Sequence, residues 1–190
     1  MTSIDPSSRP DSAGSSKTFA SEPPTAPDAG DLGERDARFL RQAIDWADKA
    51  KQGGNRPFGA VIVGADGEVI AEAGNTTHES DDRTAHAETN AIRALAGSGL
   101  TREQLASATL YASGEPCVMC AGAIFSASIR RVVFGLDVQR LRVFRAGLPH
   151  QNDLQMSCRD VFATSPEAIE CIGPALLDEA GAVHVGGWDA

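Results

Sequence analysis

Apolar residues recur at helical spacing through Phe39, Leu40, Ala43, Ile44, Ala47 and Ala50, which predicts an amphipathic helix over residues 34–51. Gly53-Gly54-Asn55 stops it. The period then shortens. Phe58 to Val63 and Glu68 to Ala73 are β-prone runs, and Gly64-Ala65-Asp66-Gly67 joins them as a hairpin. Asn75 to Arg83 is a polar connection. Thr84 is placed to cap a second helix that carries His86, Glu88, Ile92 and Leu95 and ends at Gly97-Ser98-Gly99. Thr109 to Ala112 reads as a third strand, Pro116 opens a third helix through Cys120, Ala123 and Ile124, and Arg131 to Gly135 reads as a fourth strand. Residues 136–160 show no clear period. A short strand at Ile169 to Ile172 and a helix from Pro174 to about Val185 close the chain. Strands alternating with helices predict an α/β fold, with helices packed on a central mixed sheet.

Residues 1–31 are rich in Ser, Pro, Asp, Gly and Ala and almost lack large apolar side chains. Such a stretch buries too little surface to offset its ordering entropy, so a disordered tail is expected before a single domain at 32–190. A regulatory or docking segment is the rival reading. The net charge of −9 argues against a general electrostatic grip on phosphate backbones and favours a small-molecule substrate. Four cysteines in 190 residues are too few for a secreted disulfide framework. No basic-then-apolar leader and no apolar run near ~18 residues is present, so a cytoplasmic location without a membrane span is expected.

Candidate chemistry lies in two short segments, Thr84-Ala85-His86-Ala87-Glu88 and Pro116-Cys117-Val118-Met119-Cys120. His86, Cys117 and Cys120 are three ligands of the nitrogen and sulfur type that zinc favours. With both cysteines at a helix start, their sulfurs can face one point. Helix N-termini there favour thiolate. Three protein ligands leave a fourth position open, as in catalytic zinc sites, where a water's pKa falls to about 7. Glu88, two residues beyond His86, is placed beside that position as a proton carrier rather than as a ligand. Two other readings compete: a redox Cys-x-x-Cys pair, which leaves the His86 segment unexplained, and a closed structural zinc site completed by Cys158, Cys171 or another histidine.

These segments, together with Pro57-Phe58-Gly59-Ala60-Val61-Ile62-Val63 and Leu110 to Ile124, resemble the cytidine and deoxycytidylate deaminase superfamily. Within it the resemblance is to the branch of bacterial guanine deaminases, cytosine deaminases and tRNA-specific adenosine deaminases, and it covers about residues 34–145. It implies a three-layer α-β-α sandwich around a five-stranded mixed sheet. It further implies zinc on His86, Cys117 and Cys120, and proton transfer by Glu88. Base contacts would come from Asn75 (otherwise a turn residue), Phe58 (otherwise plain core) and the Ala87 N–H. It implies a homodimer as well. Ile124, Phe125 and Ile129 would either form that contact or pack in the core.

Departures limit the transfer. Gly114 stands where guanine deaminases often have Cys, and the C-terminus lacks the basic cluster of the tRNA enzymes. His78, His150 and His184 read as surface or packing residues. His184 and Trp188 lie where relatives fold the chain end over the pocket, and Cys158 and Cys171 read as buried free thiols. Arg130-Arg131 and Arg140 to Arg145 read as a solvated face or a subunit contact. The expected activity is hydrolytic deamination of a free nucleobase or nucleoside, a purine such as guanine before cytosine. A tRNA adenosine-to-inosine deaminase and a non-enzymatic zinc-stabilised module are the alternatives.

Overall fold

The computed structural model describes residues 32–146, 154 and 156–188. The expected tail at 1–31 and His150 lie outside them. A sheet of five strands forms the centre: β1 (Gly59–Val63), β2 (Val69–Gly74), β3 (Thr109–Gly114), β4 (Arg131–Leu136) and β5 (Glu170–Ile172). Their order is β2-β1-β3-β4-β5. β1 runs antiparallel to β2 and β3, whereas β3, β4 and β5 are parallel. The sheet is therefore mixed, as expected.

The pleat separates two cores. Val61, Val63, Tyr111 and Val133 pack with Phe39, Leu40, Ala43 and Ile44 of α1 (Glu34–Gln52), Leu141 of α5 (Val138–Phe144) and Ala180 of α7 (Leu177–Ala182). On the other face, Ala60, Ile62, Leu110, Ala112, Val132 and Phe134 pack with α2 (Ala87–Ala94), α4 (Val118–Ser126) and α6 (Cys158–Phe162). Helices thus cover both faces, which gives three layers. Every residue of β1 is buried, which explains its unbroken apolar run.

The structure refines the expected elements at several points. The second helix begins at Ala87, with His86 as its N-cap in an extended conformation. Thr84 does not cap it: it lies two residues before the N-cap, and its hydroxyl donates to Asp82 Oδ1 at 2.7 Å and accepts from Arg93 Nη2 at 3.0 Å rather than from a helix N–H. The 136–160 region holds two short helices, α5 and α6, and residues 102–106 form α3 (Arg102–Ala106). The last helix is shorter than 174–185, because Leu176 adopts a left-handed conformation at φ 49° just before it. Ile124 and Ile129 are fully buried, so of the candidate dimer stretch only Phe125 is exposed.

Helix α1 lies directly on β1. A Cβ added at Gly59 would press on the Ala43 carbonyl oxygen and come within 2.5 Å of the Ala47 nitrogen. Both are backbone atoms and cannot rotate away. Gly59→Ala is expected to push α1 off the sheet and cost about 1–3 kcal/mol or more. A lowered urea midpoint with an unchanged slope is the expected reading.

Candidate active site and metal centre

Two helix starts converge at one end of the sheet. His86 is the N-cap of α2, Cys117 is the N-cap of α4, and Cys120 lies in the first turn of α4. The sulfurs of Cys117 and Cys120 are 3.6 Å apart, and they lie 3.6 and 3.5 Å from His86 Nδ1. Zinc bonds of about 2.3 Å to sulfur and 2.0–2.1 Å to nitrogen place tetrahedral neighbours roughly 3.5–3.8 Å apart. The three donors therefore fit three corners of a tetrahedron, and zinc suits this donor set. Among the described residues this is the one group of three or more His, Cys, Asp or Glu ligands close enough for a metal. Neither Cys158 nor Cys171 completes it, so the fourth corner has no candidate ligand from that pair.

The electrostatics follow from proximity. Cys117 is pulled down to about 4, chiefly by its hydrogen bond with Cys120 and then by that with His86. Cys120 is pushed up, because Cys117 holds the negative charge of the pair. Hydrogen bonding with Cys117 raises His86 above the usual imidazole range. Glu88 is raised to about 7, first by burial and next by the Cys117 charge.

A cavity of about 710 Å³ opens onto His86, Glu88 and Cys117. Asn75 and Phe58 line it as well, whereas Cys120 and Ala87 are not among its lining residues. Asn75 is buried, and its Oδ1 accepts from the Thr77 N–H at 3.1 Å and the Thr77 hydroxyl at 2.8 Å. Those bonds fix the amide and leave Nδ2 as the donor for a ligand. Ala87 is fully buried as the first residue of α2, so its N–H has no acceptor within the helix.

Phe58 is held by neighbours that explain Gly114. A Cβ at Gly114 would fall 3.0 Å from Phe58 Cε1 and 3.3 Å from Leu141 Cδ1. Any larger residue there would displace the ring. The edge of Phe58 meets His184 at 5.3 Å and Trp188 at 5.8 Å between centroids. Trp188 lines the cavity, and His184 stacks behind it. Arg56 and Arg145, which also line the cavity, lie 4.8 and 5.4 Å from the Trp188 ring centre. Sequence reasoning missed both. Residues 136–160 were expected to contribute to the pocket without any being named, and Val138, Leu141 and Met156, from α5 and the segment before α6, do line it. His78 lines the cavity rim, with its Nδ1 3.1 Å from the Gly54 carbonyl oxygen. Within the basic stretch Arg130 meets Glu167, Arg131 bridges Asp36 and Glu170, and Arg140 pairs with Asp137, whereas Arg145 belongs to the cavity wall.

Neither ring nitrogen of His184 has a hydrogen-bond partner among the described residues. Burial holds its pKa down to about 4, with Lys51 and Arg145 adding repulsion. An unfolded imidazole titrates near 6.5 and thus binds protons more readily than the folded one. The stability contributed by neutral His184 is complete above about pH 6.5 and is lost as pH falls toward 4. Denaturation midpoints across this window should fall more steeply for the native protein than for His184→Phe. Parallel curves would show that His184 does not carry the effect.

Residues 33–136 match the cytidine and deoxycytidylate deaminase zinc-binding region. The chain is 40% identical over 159 residues to a probable cytosine deaminase of Schizosaccharomyces pombe, covering 84% of this chain and 96% of that one. It is 45% identical over 100 residues to the guanine deaminase of Bacillus subtilis, covering 52% of this chain and 62% of that one. A solved tRNA:A34 deaminase of A-to-I editing superposes with a TM-score of 0.55 at 36% identity, covering 72% of this chain and 96% of that one. With the metal-ready donors and the mixed sheet, these likenesses place the chain in the cytidine and deoxycytidylate deaminase family, whose zinc-dependent enzymes remove amino groups by hydrolysis.

Proposed function

We propose that this chain deaminates a free aminated nucleobase, with His86, Cys117 and Cys120 holding the zinc and Glu88 carrying protons. The supporting observation is the juxtaposition of three donors 3.5–3.6 Å apart with the buried carboxyl of Glu88 on one cavity. Zinc bound there supplies Lewis-acid activation of water. Glu88 would take one proton from the attacking water and deliver it to the ring nitrogen beside the reacting carbon, then take the remaining proton of the added hydroxyl and pass it to the departing amine as the carbon–nitrogen bond breaks and the carbonyl forms. Asn75 Nδ2 and the Ala87 N–H hold the polar edge of the ring, and Phe58 packs against its face. The products are the carbonyl form of the base and ammonia.

A cytosine-type ring is favoured. The likeness to the probable cytosine deaminase covers 84% of this chain, whereas the likeness to the guanine deaminase covers 52% of it. Guanine is the second reading, supported by 45% identity over the shared region. The acidic balance of the chain disfavours tRNA. Ammonia release from cytosine, guanine, adenine, their nucleosides and a tRNA anticodon stem-loop tests the reading. Turnover of cytosine above the others is expected. Activity confined to the RNA, or no turnover of any free base, would refute it.

A further inference from the structure

Cys158 and Cys171 lie away from the metal-ready group and take no part in the proposed reaction. Cys158 opens α6 and is fully buried; Cys171 lies in the edge strand β5 and is half-buried. Their sulfurs are 3.6 Å apart, in van der Waals contact across the interface between α6 and the sheet. Both are free thiols. Arg159, the next residue of α6, donates to the carbonyl oxygens of Cys171 and Gly173, each at 2.5 Å. Its guanidinium is thereby anchored beside Cys171.

We infer that Cys158 and Cys171 form an oxidisable dithiol that closes to an intramolecular disulfide when the protein meets a small peroxide. The two sulfurs, 3.6 Å apart, need to approach by about 1.5 Å to reach the bond length of about 2.05 Å. The roles divide by exposure and charge. Cys171 is the more exposed residue of the two, and its hydrogen bond with the Cys158 thiol, with the Arg159 guanidinium adding to it, favours its thiolate, the reactive form. Cys158 is fully buried and its sulfur lies 3.6 Å away, close enough to act as the resolving thiol.

The chemistry balances with hydrogen peroxide as the oxidant. The Cys171 thiolate attacks one peroxide oxygen, the O–O bond breaks, and the departing hydroxide takes a proton to become water. Cys171 is now a sulfenic acid. The Cys158 sulfur then attacks the Cys171 sulfur, the S–O bond breaks, and the second oxygen leaves as water with the proton of Cys158. Two thiols are oxidised by two electrons in all, and one peroxide is reduced to two waters.

The pair is coupled to the cavity wall. The Cys158 N–H donates to Glu115 Oε1 at 3.1 Å, and the other oxygen of Glu115 accepts from the Val138 N–H at the start of α5 at 3.0 Å. Glu115 and Val138 both line the cavity. Oxidation at this pair would therefore register one hydrogen bond away from the substrate space.

The test uses the zinc-loaded full chain exposed to hydrogen peroxide, digested without reduction and mapped by mass spectrometry. A Cys158–Cys171 linked peptide, the loss of two of the four thiols, and full reversal by dithiothreitol are expected. Cys158→Ser should stop the reaction at Cys171, where a sulfenic-acid trap such as dimedone labels it. Linkage confined to Cys117 and Cys120, oxidation of Cys171 straight to sulfinic acid in the native protein, or no reaction at either thiol would overturn the inference.

Discussion

Glu88→Gln is expected to leave a folded, zinc-loaded protein whose turnover falls by roughly 10²–10⁴-fold. The side chains have nearly the same shape, so the packing around α2 survives. The Glu88 carboxyl is buried, and burial opposes its ionisation. A neutral amide therefore removes no favourable charge from the core, and the melting temperature should hold or rise. What is lost is the ability to accept a proton from water and return it to the leaving amine. Zinc stoichiometry, melting temperature and kcat measured on one preparation separate these effects. A collapse of kcat with metal and fold intact would support proton transfer. Unchanged turnover would remove Glu88 from the chemistry and leave the site as a metal-holding module.

The site was legible from sequence because its chemistry is local. Cys117 and Cys120 are three residues apart, and one helical turn necessarily brings them together. His86 and Glu88 are likewise set by a single helix start. The walls of the cavity are not local. Arg56 precedes β1, Arg145 follows α5, and Trp188 ends the described chain, so only the folded topology puts the two guanidiniums over one indole. Short helices were missed for a different reason. α3 and α6 have five residues each and α5 has seven, too few turns for an apolar period to emerge. Their caps were nevertheless present as signals. Thr101 with Gln104 and Ser157 with Asp160 form capping boxes, and Asp137 caps α5 through the Arg140 N–H. Ile124 and Ile129 show the limit of composition. An apolar run near a helix end reads equally as interface or core, and here burial places both in the core.

Cys120→Ser should abolish zinc retention and measurable turnover together, and it should also lower the melting temperature. Cys120 is fully buried in the first turn of α4, and its sulfur lies close to both other donors. An alkoxide at that position is inaccessible at neutral pH, so serine offers zinc only a weak neutral ligand where a thiolate stood. The loss in stability follows from what the metal joins. His86 belongs to α2, while Cys117 and Cys120 belong to α4, so a bound ion ties two helix starts that otherwise meet through side-chain packing. A ligand that binds only the folded state stabilises it by RT ln(1 + [L]/Kd), about 4 kcal/mol at a thousandfold excess over Kd. Chelation of the native protein should reproduce the lower melting temperature, zinc should restore it, and magnesium should not, because imidazole and thiolate are poor ligands for a hard cation. Hydrogen exchange should then localise the loosening to the first turns of α2 and α4, with α1 on the opposite layer still protected. If chelation left both melting and exchange unchanged, the three donors would be close neighbours without being a metal site, and the proposed deamination would lose its water-activating group.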